Sequence, residues 1–253
     1  MALYKNIGFL GCGKIGGTML ESLSDFEDVS VSFVQALDFV SEGKTFPVIT
    51  KQDEALLAQT DLVVESATAN VLKANFDGII KHCDVMIFSV TAFSDAEFEQ
   101  HAKALAEKYG HKIYLPHGAI LGVDGIADGN ALLTEVSIVT TKNPNSLGRD
   151  DTERTVVCDC STREACGLYP RNVNVHATVA LAGIGFDRTR SMVISDPAVN
   201  TNTHVIDVKG DGIHFKLEIS SFSTGGVTGK YTPYSACASL ARVLGQGGLF
   251  RFV

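Results

Sequence analysis

The sequence lacks several things at once, and each absence narrows what the chain can be. No run reaches the roughly 18 consecutive apolar residues that read as a membrane span. No basic block occurs, and 21 Lys and Arg against 29 Asp and Glu leave a formal net charge of −8. An acidic chain without a basic patch is a poor match for a phosphate backbone, so no nucleic-acid partner is expected. The N-terminus carries Lys5, but the apolar stretch after it is cut by Gly11 and Gly13 and no processing site follows, so no secretory signal is read there. No internal repeat or low-complexity tract is evident. The expectation is a cytoplasmic protein with neither a membrane nor a nucleic acid as partner.

Metal-ligand spacing is missing too. Cysteines stand at 12, 83, 158, 160, 166 and 237. Cys158 and Cys160 form a C-x-C pair that shares one face of a strand, but no fourth ligand has zinc-site spacing. Buried thiols are the better reading, and no metal is expected. Tryptophan is absent altogether.

What is present begins at Ile7-Gly8-Phe9-Leu10, a short buried strand. Gly11-Cys12-Gly13-Lys14-Ile15-Gly16 follows, and then a helical run from Gly17 to about Ser24. The order strand, G-x-G-x-x-G, helix is the context in which this fingerprint has meaning. Gly11 allows the tight turn, Gly13 lets the backbone approach a pyrophosphate, and Gly16 lets helix and strand pack closely. The helix N-terminus turns free N–H groups toward the phosphates. A dinucleotide site is predicted, with Lys14 and Ile15 inside it. A bound nicotinamide would have no Trp donor for energy transfer.

At 253 residues the chain can hold one large or two modest domains. Up to about residue 115 strands and helices alternate. Strands are predicted at 29–34, 62–65, 85–90 and 112–115. Helices are predicted at 52–59 with Thr50 as cap, at 71–80, and from Ser94 or Asp95 to Lys108. This alternation implies an α/β, Rossmann-type doubly wound parallel sheet. From about 116 the pattern changes. A helix is expected at 124–133, a strand at 136–141, a polar loop at 143–151 and a strand at 156–160. A capping box, Ser161-Thr162-Arg163-Glu164, then opens a helix to Leu168. A small-residue helix starts at Asn174. Strand-like runs follow at 191–195, 204–209 and 213–219, the last two flanking the hairpin signal Gly210-Asp211-Gly212. A final helix is expected at 234–244. The expected organisation is a dinucleotide-binding domain, 1–115, completed by a C-terminal helix within 229–253. A second α+β domain of mainly antiparallel sheet spans 116–228 and serves substrate binding and dimerisation.

The sequence chooses only weakly between NAD and NADP, leaning to NAD with use of both open. The acid that often holds the ribose 2′-hydroxyl is replaced by Gln35 at the end of the second strand; Asp38 lies three residues on, and Lys44 is the nearest cation. The small-residue segment Glu65-Ser66-Ala67-Thr68-Ala69-Asn70, after the third strand, lies at the sheet edge where the cofactor runs, so Ala67 is a candidate contact. Ser89-Val90-Thr91-Ala92 ends the fourth strand in the same region.

Several segments together resemble a known family: Gly11 to Gly16; Asp61-Leu62-Val63-Val64-Glu65-Ser66-Ala67; Pro116-His117-Gly118-Ala119-Ile120-Leu121-Gly122-Val123-Asp124; Tyr169-Pro170-Arg171-Asn172-Val173-Asn174-Val175; Leu181 to Thr189; and Asp196-Pro197 before Asn202-Thr203-His204-Val205-Ile206. The chain resembles the L-aspartate dehydrogenases. That resemblance implies a two-domain oxidoreductase that converts L-aspartate to iminoaspartate with NAD or NADP. The imine then hydrolyses to oxaloacetate and ammonia or feeds NAD biosynthesis. It places the catalytic histidine at His204 and cofactor contacts at Ala119 and Asn174 besides the glycine turn, and it implies a homodimer. His117 and His176 stand where the family commonly has Ser and Ala, and Gly229 to Ser235 departs from its usual tail.

The residues themselves leave the choice wider. Amine oxidation needs a base, and histidine suits that role. His82, His101 and His111 read as surface or structural, and His214 shows no partner signal. His204 reads as either a structural histidine or a base. His117 and His176 read as pocket-rim residues, or as groups that bind a carboxylate or alter proton transfer; a three-histidine metal site with His204 is conceivable but is not required by hydride chemistry. Arg163, Arg171, Arg188 and Arg190 are candidates for carboxylate recognition. Asp187 and Asp196 are candidates to orient backbone or to hold His204. Two further readings remain open: the same chemistry on another small amino or oxo acid, and a non-catalytic dinucleotide sensor.

Overall fold

The computed structural model describes residues 3–222 and 229–245. The chain divides into two units. Within the described residues, one holds 3–92, 96–116 and 233–245, and the other holds 93–95 and 117–232 where described. Of the expected boundaries, residue 228 and the tail 246–253 lie outside the described residues.

The first unit is built on six strands: β1 (Asn6–Leu10), β2 (Ser30–Gln35), β3 (Val48–Ile49), β4 (Leu62–Glu65), β5 (Asp84–Ile87) and β6 (Ile113–Tyr114). Their order is β3-β2-β1-β4-β5-β6 and every pairing is parallel. The four residues of β4 and the four of β5 are all buried, as expected of central strands covered on both faces. Among the helices, α1 (Lys14–Ser22) and α3 (Ala69–His82) follow β1 and β4, α2 (Glu54–Leu57) precedes β4, and α4 (Ala96–Tyr109) precedes β6. In α3, Leu72, Phe76, Ile79 and Ile80 recur at helical spacing and are buried, and the Thr68 side chain caps the first turn.

The second unit carries β7 (Leu133–Lys142), β8 (Thr155–Ser161), β9 (Arg190–Ser195), β10 (Thr201–Gly210) and β11 (Ile213–Phe222), in the order β11-β10-β7-β9-β8. Only the β7–β9 pairing is parallel; the other three are antiparallel. Its helices are α5 (Val123–Asp128), α6 (Pro144–Leu147), α7 (Thr162–Leu168) and α8 (Asn174–Ala182). Val136 and Ile138 of β7, Ile206 and Val208 of β10, and Val179 of α8 form its apolar core with Ile120 and Ile126. The last helix, α9 (Thr232–Val243), returns to the first unit, where Ala236, Leu240 and the following Leu244 join Ile7, Phe9, Val34, Leu62 and Met86 in one core.

The fold class is the one expected, and the differences are local. Asp53, not Thr50, caps α2, because its carboxylate accepts from the N–H groups of Ala55 and Leu56. The fourth expected strand stops at Ile87 and a 3₁₀ turn covers Val90–Ser94. The two-residue β3 and the one-turn α6 were not anticipated. In α6 an Asn143 cap, Pro144 in the first turn and left-handed Gly148 (φ 68°) make a complete helix out of a segment whose composition says loop. His214 does have a partner, Asp207 at 3.1 Å across the hairpin.

The capping box opening α7 is fully formed: Ser161 Oγ accepts from the Glu164 N–H at 3.3 Å, and the Glu164 carboxylate accepts from the Ser161 N–H at 3.0 Å. Ser161→Ala should therefore lower unfolding free energy by about 1 kcal/mol in urea titration. An unchanged midpoint would show that the cap contributes nothing.

Candidate functional site

In the first unit the strand order reverses between β1 and β4, where an open parallel sheet presents a crevice at its carboxyl ends. The glycine turn sits there, and each glycine has its own reason. Gly11 adopts φ +82°, and a Cβ on it would lie 2.7 Å from that of Ala67. A Cβ on Gly16 would lie 2.5 Å from Ser66 Oγ and 2.7 Å from the Gly11 carbonyl oxygen. Around Gly13 a Cβ would meet nothing within 4 Å, and Gly13 begins α1 without any side-chain cap. The first turn of α1, with Lys14 and Ile15 at its start, thus follows a backbone position with no side chain and open space on its Cβ face. That arrangement fits a pyrophosphate.

Glu65 braces the opposite lip. It is fully buried and accepts from the Ala67 N–H (2.7 Å), the Ser89 N–H (3.0 Å) and the Ser89 hydroxyl (2.7 Å), joining the ends of β4 and β5. Burial pushes its carboxyl up to about 7, against those donors. Gln35 is engaged, donating to Asn75 Oδ1 at 3.0 Å, and Lys44 lies over the Phe39 ring. Among the described residues no hydrogen bond or ion pair draws Asp38 or an arginine to the end of β2, so nothing there selects between NAD and NADP.

In the second unit, the buried face of β7 alternates Val136, Ile138, Thr140, Lys142. The first two are apolar and the last two are not. Thr140 lies directly across from His204 on β10, and its Oγ1 is 2.8 Å from His204 Nδ1 and 2.7 Å from His176 Nε2 on α8. His176 Nδ1 is 2.9 Å from Ser191 Oγ on β9. His204 is 2% exposed and His176 fully buried. Burial first, and then the nearby Lys142 charge, push His204 down to about 3; burial, His204 and Lys142 push His176 well below its ordinary value. Both rings are neutral at physiological pH. No hydrogen bond within the described residues involves His204 Nε2.

Lys142, two residues beyond Thr140 on the same face, is 3% exposed, and its ammonium donates to the Asn172 carbonyl oxygen at 3.3 Å. It makes no ion pair among the described residues, and burial lowers it to about 8. A buried cation without a carboxylate is costly unless something supplies one. Sequence reading missed both Thr140 and Lys142. The signal was available: a two-residue alternation of buried positions that ends in a hydroxyl and a cation.

The other expected residues fall as follows. Asn174 opens α8 two positions before His176. Ala119 lies in the turn that precedes α5, where His117 accepts at its carbonyl from the Ile120 N–H. His117 does not join the Thr140 cluster. Arg163 is taken by Asp187 and by the Ser94 carbonyl, and Arg190 by Asp159. Asp196 accepts from the Ala198 N–H. Neither aspartate holds His204; a threonine does. Among the described residues no cluster of three or more His, Cys, Asp or Glu could hold a metal ion.

Residues 124–243 match the family model for the C-terminal domain of aspartate dehydrogenase, and residues 11–116 match that for the NAD-binding domain of homoserine dehydrogenase. An L-aspartate dehydrogenase of Methanosarcina mazei is 33% identical over 94% of this chain and 96% of its own length. One from Thermotoga maritima is 31% identical over 91% and 94%. The chain belongs to the L-aspartate dehydrogenase family. A crystal structure of aspartate dehydrogenase from Thermotoga maritima superposes with a TM-score of 0.81 at 25% identity, covering 98% of this chain and 99% of that one. Members of this family are NAD(P)-dependent oxidoreductases, and the glycine turn described above fits that cofactor.

Gly13 and Gly11 should separate binding from folding. Gly13→Ser places a good cap in open space and should leave the urea midpoint unchanged while weakening NAD(H) binding at least tenfold, as measured by calorimetry. Gly11→Ala should instead lose about 1–3 kcal/mol of stability, through its positive φ and the Ala67 clash. Wild-type cofactor affinity in Gly13→Ser would contradict the assignment.

Proposed function

We propose that this protein oxidises the amine of L-aspartate to iminoaspartate, with His204 Nε2 as the base and Lys142 as the receptor for a substrate carboxylate. Family membership supports the substrate. The observation that carries the roles is that a neutral imidazole with one nitrogen available and an unpaired ammonium share one buried sheet face. Held at the glycine turn of Gly11, Gly13 and Gly16, NAD(P)⁺ would supply the hydride acceptor for the carbon that bears the amine. His204 takes a proton from the nitrogen, and remains able to do so throughout the physiological range because burial keeps it neutral. The Lys142 charge, held away from water, is worth more to an incoming carboxylate than a surface lysine would be. The imine leaves and hydrolyses to oxaloacetate and ammonia.

The cofactor-binding set in the first unit is Gly11, Gly13, Lys14, Ile15, Gly16 and Ala67; for Ala119 and Asn174 the family resemblance alone supports a cofactor contact. The working form is a homodimer. A ten-residue edge strand, β11, supports this, since ahead of Phe222, whose carbonyl accepts from the Lys230 N–H, its outer edge has no strand partner among the described residues and an open strand edge invites pairing. All six cysteines are free, which supports a reducing, cytoplasmic location. No helix among the described residues is long and apolar enough to cross a membrane.

L-Aspartate should reduce NAD⁺ or NADP⁺ at alkaline pH, and oxaloacetate with ammonium should run the reaction backward. His204→Ala should lower kcat by roughly 10²- to 10⁴-fold with cofactor affinity kept. Turnover of another small acid but not aspartate would replace the substrate; cofactor binding without any turnover would leave a sensor. Lys142→Met should raise KM for aspartate by roughly 30-fold or more, the effect of removing one partner of a buried charge pair. In the wild type, KM should rise as pH passes about 8, because the ammonium form of Lys142 is lost there. That rise should be absent in Lys142→Met.

Two buried neutral histidines also link stability to pH. Their folded values lie below the unfolded value, so their stabilisation is full above the unfolded value of about 6.5 and is lost as pH falls below it. Tm should fall between pH 6.5 and 4.5, and less steeply in His176→Asn than in the wild type.

A further inference from the structure

The hydroxyls around His204 form a chain whose direction is fixed at one end. Thr162 Oγ1 is 3.1 Å from the Thr189 carbonyl oxygen and 2.8 Å from Ser191 Oγ. A carbonyl only accepts, so the Thr162 proton goes to it. Thr162 Oγ1 then accepts from the Ser191 hydroxyl. Ser191 has spent its proton, so its oxygen accepts from His176 Nδ1–H at 2.9 Å. A neutral imidazole protonated at Nδ1 is an acceptor at Nε2, so the Thr140 hydroxyl donates there, at 2.7 Å. Thr140 Oγ1 is left to accept, and at 2.8 Å it accepts from His204 Nδ1–H. Every proton in the chain is assigned once, and His204 Nε2 ends as a bare lone pair. The assignment needs both rings neutral, and their burial provides that.

We propose that His176 and Thr140 are positioning residues that lock His204 in its Nδ1–H tautomer, with the lock anchored through Ser191 and Thr162 on the Thr189 carbonyl. The proposal rests on the reading of His204 as the base, since only the Nε2 lone pair makes the tautomer matter for turnover. Without His176 as acceptor, the Thr140 hydroxyl is free to turn and donate to His204 Nδ1. His204 then carries its proton on Nε2 and presents no lone pair to the substrate. Desolvation makes the lock firm, because a mismatched donor or acceptor in this chain is left unsatisfied in a buried site.

The test is ¹⁵N NMR of the ring nitrogens in histidine-labelled full-length protein at neutral pH, with steady-state kinetics on the same samples. Wild-type His204 and His176 should both show a protonated Nδ1 and an unprotonated Nε2. His176→Phe should move the His204 proton to Nε2 and lower kcat at least tenfold, with cofactor affinity within twofold. His176→Asn, which restores a carbonyl acceptor for Thr140, should return the Nδ1–H signature and most of the activity. Thr140→Ser should behave as wild type and Thr140→Val as His176→Phe in kcat. A wild-type His204 protonated at Nε2, or a His176→Phe protein that keeps the Nδ1–H signal and full kcat, would overturn the proposal. If the tautomer moves as described but wild-type protein turns over no amino acid, the lock stands on the spectra and the reading of His204 as a base fails separately.

Discussion

Thr140 has one proton to give and two imidazoles against it. That single hydroxyl, buried on the inner face of β7, links His176 on α8 to His204 on β10. A hydroxyl can donate to one and accept from the other, so it makes the two rings unequal although both are buried. Much of the second unit arranges for this asymmetry to have one sense. β9 brings Ser191 to the far side of His176, and α7 begins with Thr162 against the Thr189 carbonyl. Water would blur the ordering, since it donates and accepts anywhere. Complete burial of His176 prevents that.

The same face explains why the site is costly to fold and why its buried ammonium suits a carboxylate. Its apolar half, Val136, Ile138, Ile206 and Val208, packs as a core. Its polar half keeps Lys142 away from water with a backbone carbonyl as partner. Removing an ammonium from water is expensive, and the expense is recovered only when a negative group arrives. A site like this is less stable than an apolar one of the same shape, as is common where local rules are broken for function. The first unit makes the opposite choice at its glycine turn. Gly11 and Gly16 are required by close backbone and side-chain neighbours, whereas Gly13 has open space on its side-chain face.

The fold was legible where one element carries its own signal. Fully buried runs such as 62–65, the glycine turn and the capping box at Ser161 need only neighbours in sequence. Short pieces escaped: β3 has two residues, and α6 is a single turn stabilised by its caps rather than by its composition. The site was half legible. His176 and His204 stood out as chemistry-bearing residues, but the threonine between them lies 36 positions from one and 64 from the other. No local pattern carries that relation; β7, α8 and β10 must first be assembled. Two of the four candidate arginines are engaged by residues distant in sequence. Arg163 and Arg190 are satisfied by Asp187 and Asp159, 24 and 31 positions away, so neither guanidinium waits for a substrate. Lys142 lies one residue beyond the expected strand 136–141, so the alternation of buried positions stopped short of it.

The central claim is that this buried face is an amine-oxidation centre rather than a neutral structural network. The direct test is to supply L-aspartate deuterated at the carbon that bears the amine, with oxidised cofactor, and to analyse the reduced nicotinamide by mass spectrometry and NMR. The account predicts deuterium on the nicotinamide ring, on one face, at a rate slower than with the protium substrate. Cofactor that binds but acquires no deuterium from aspartate would contradict it.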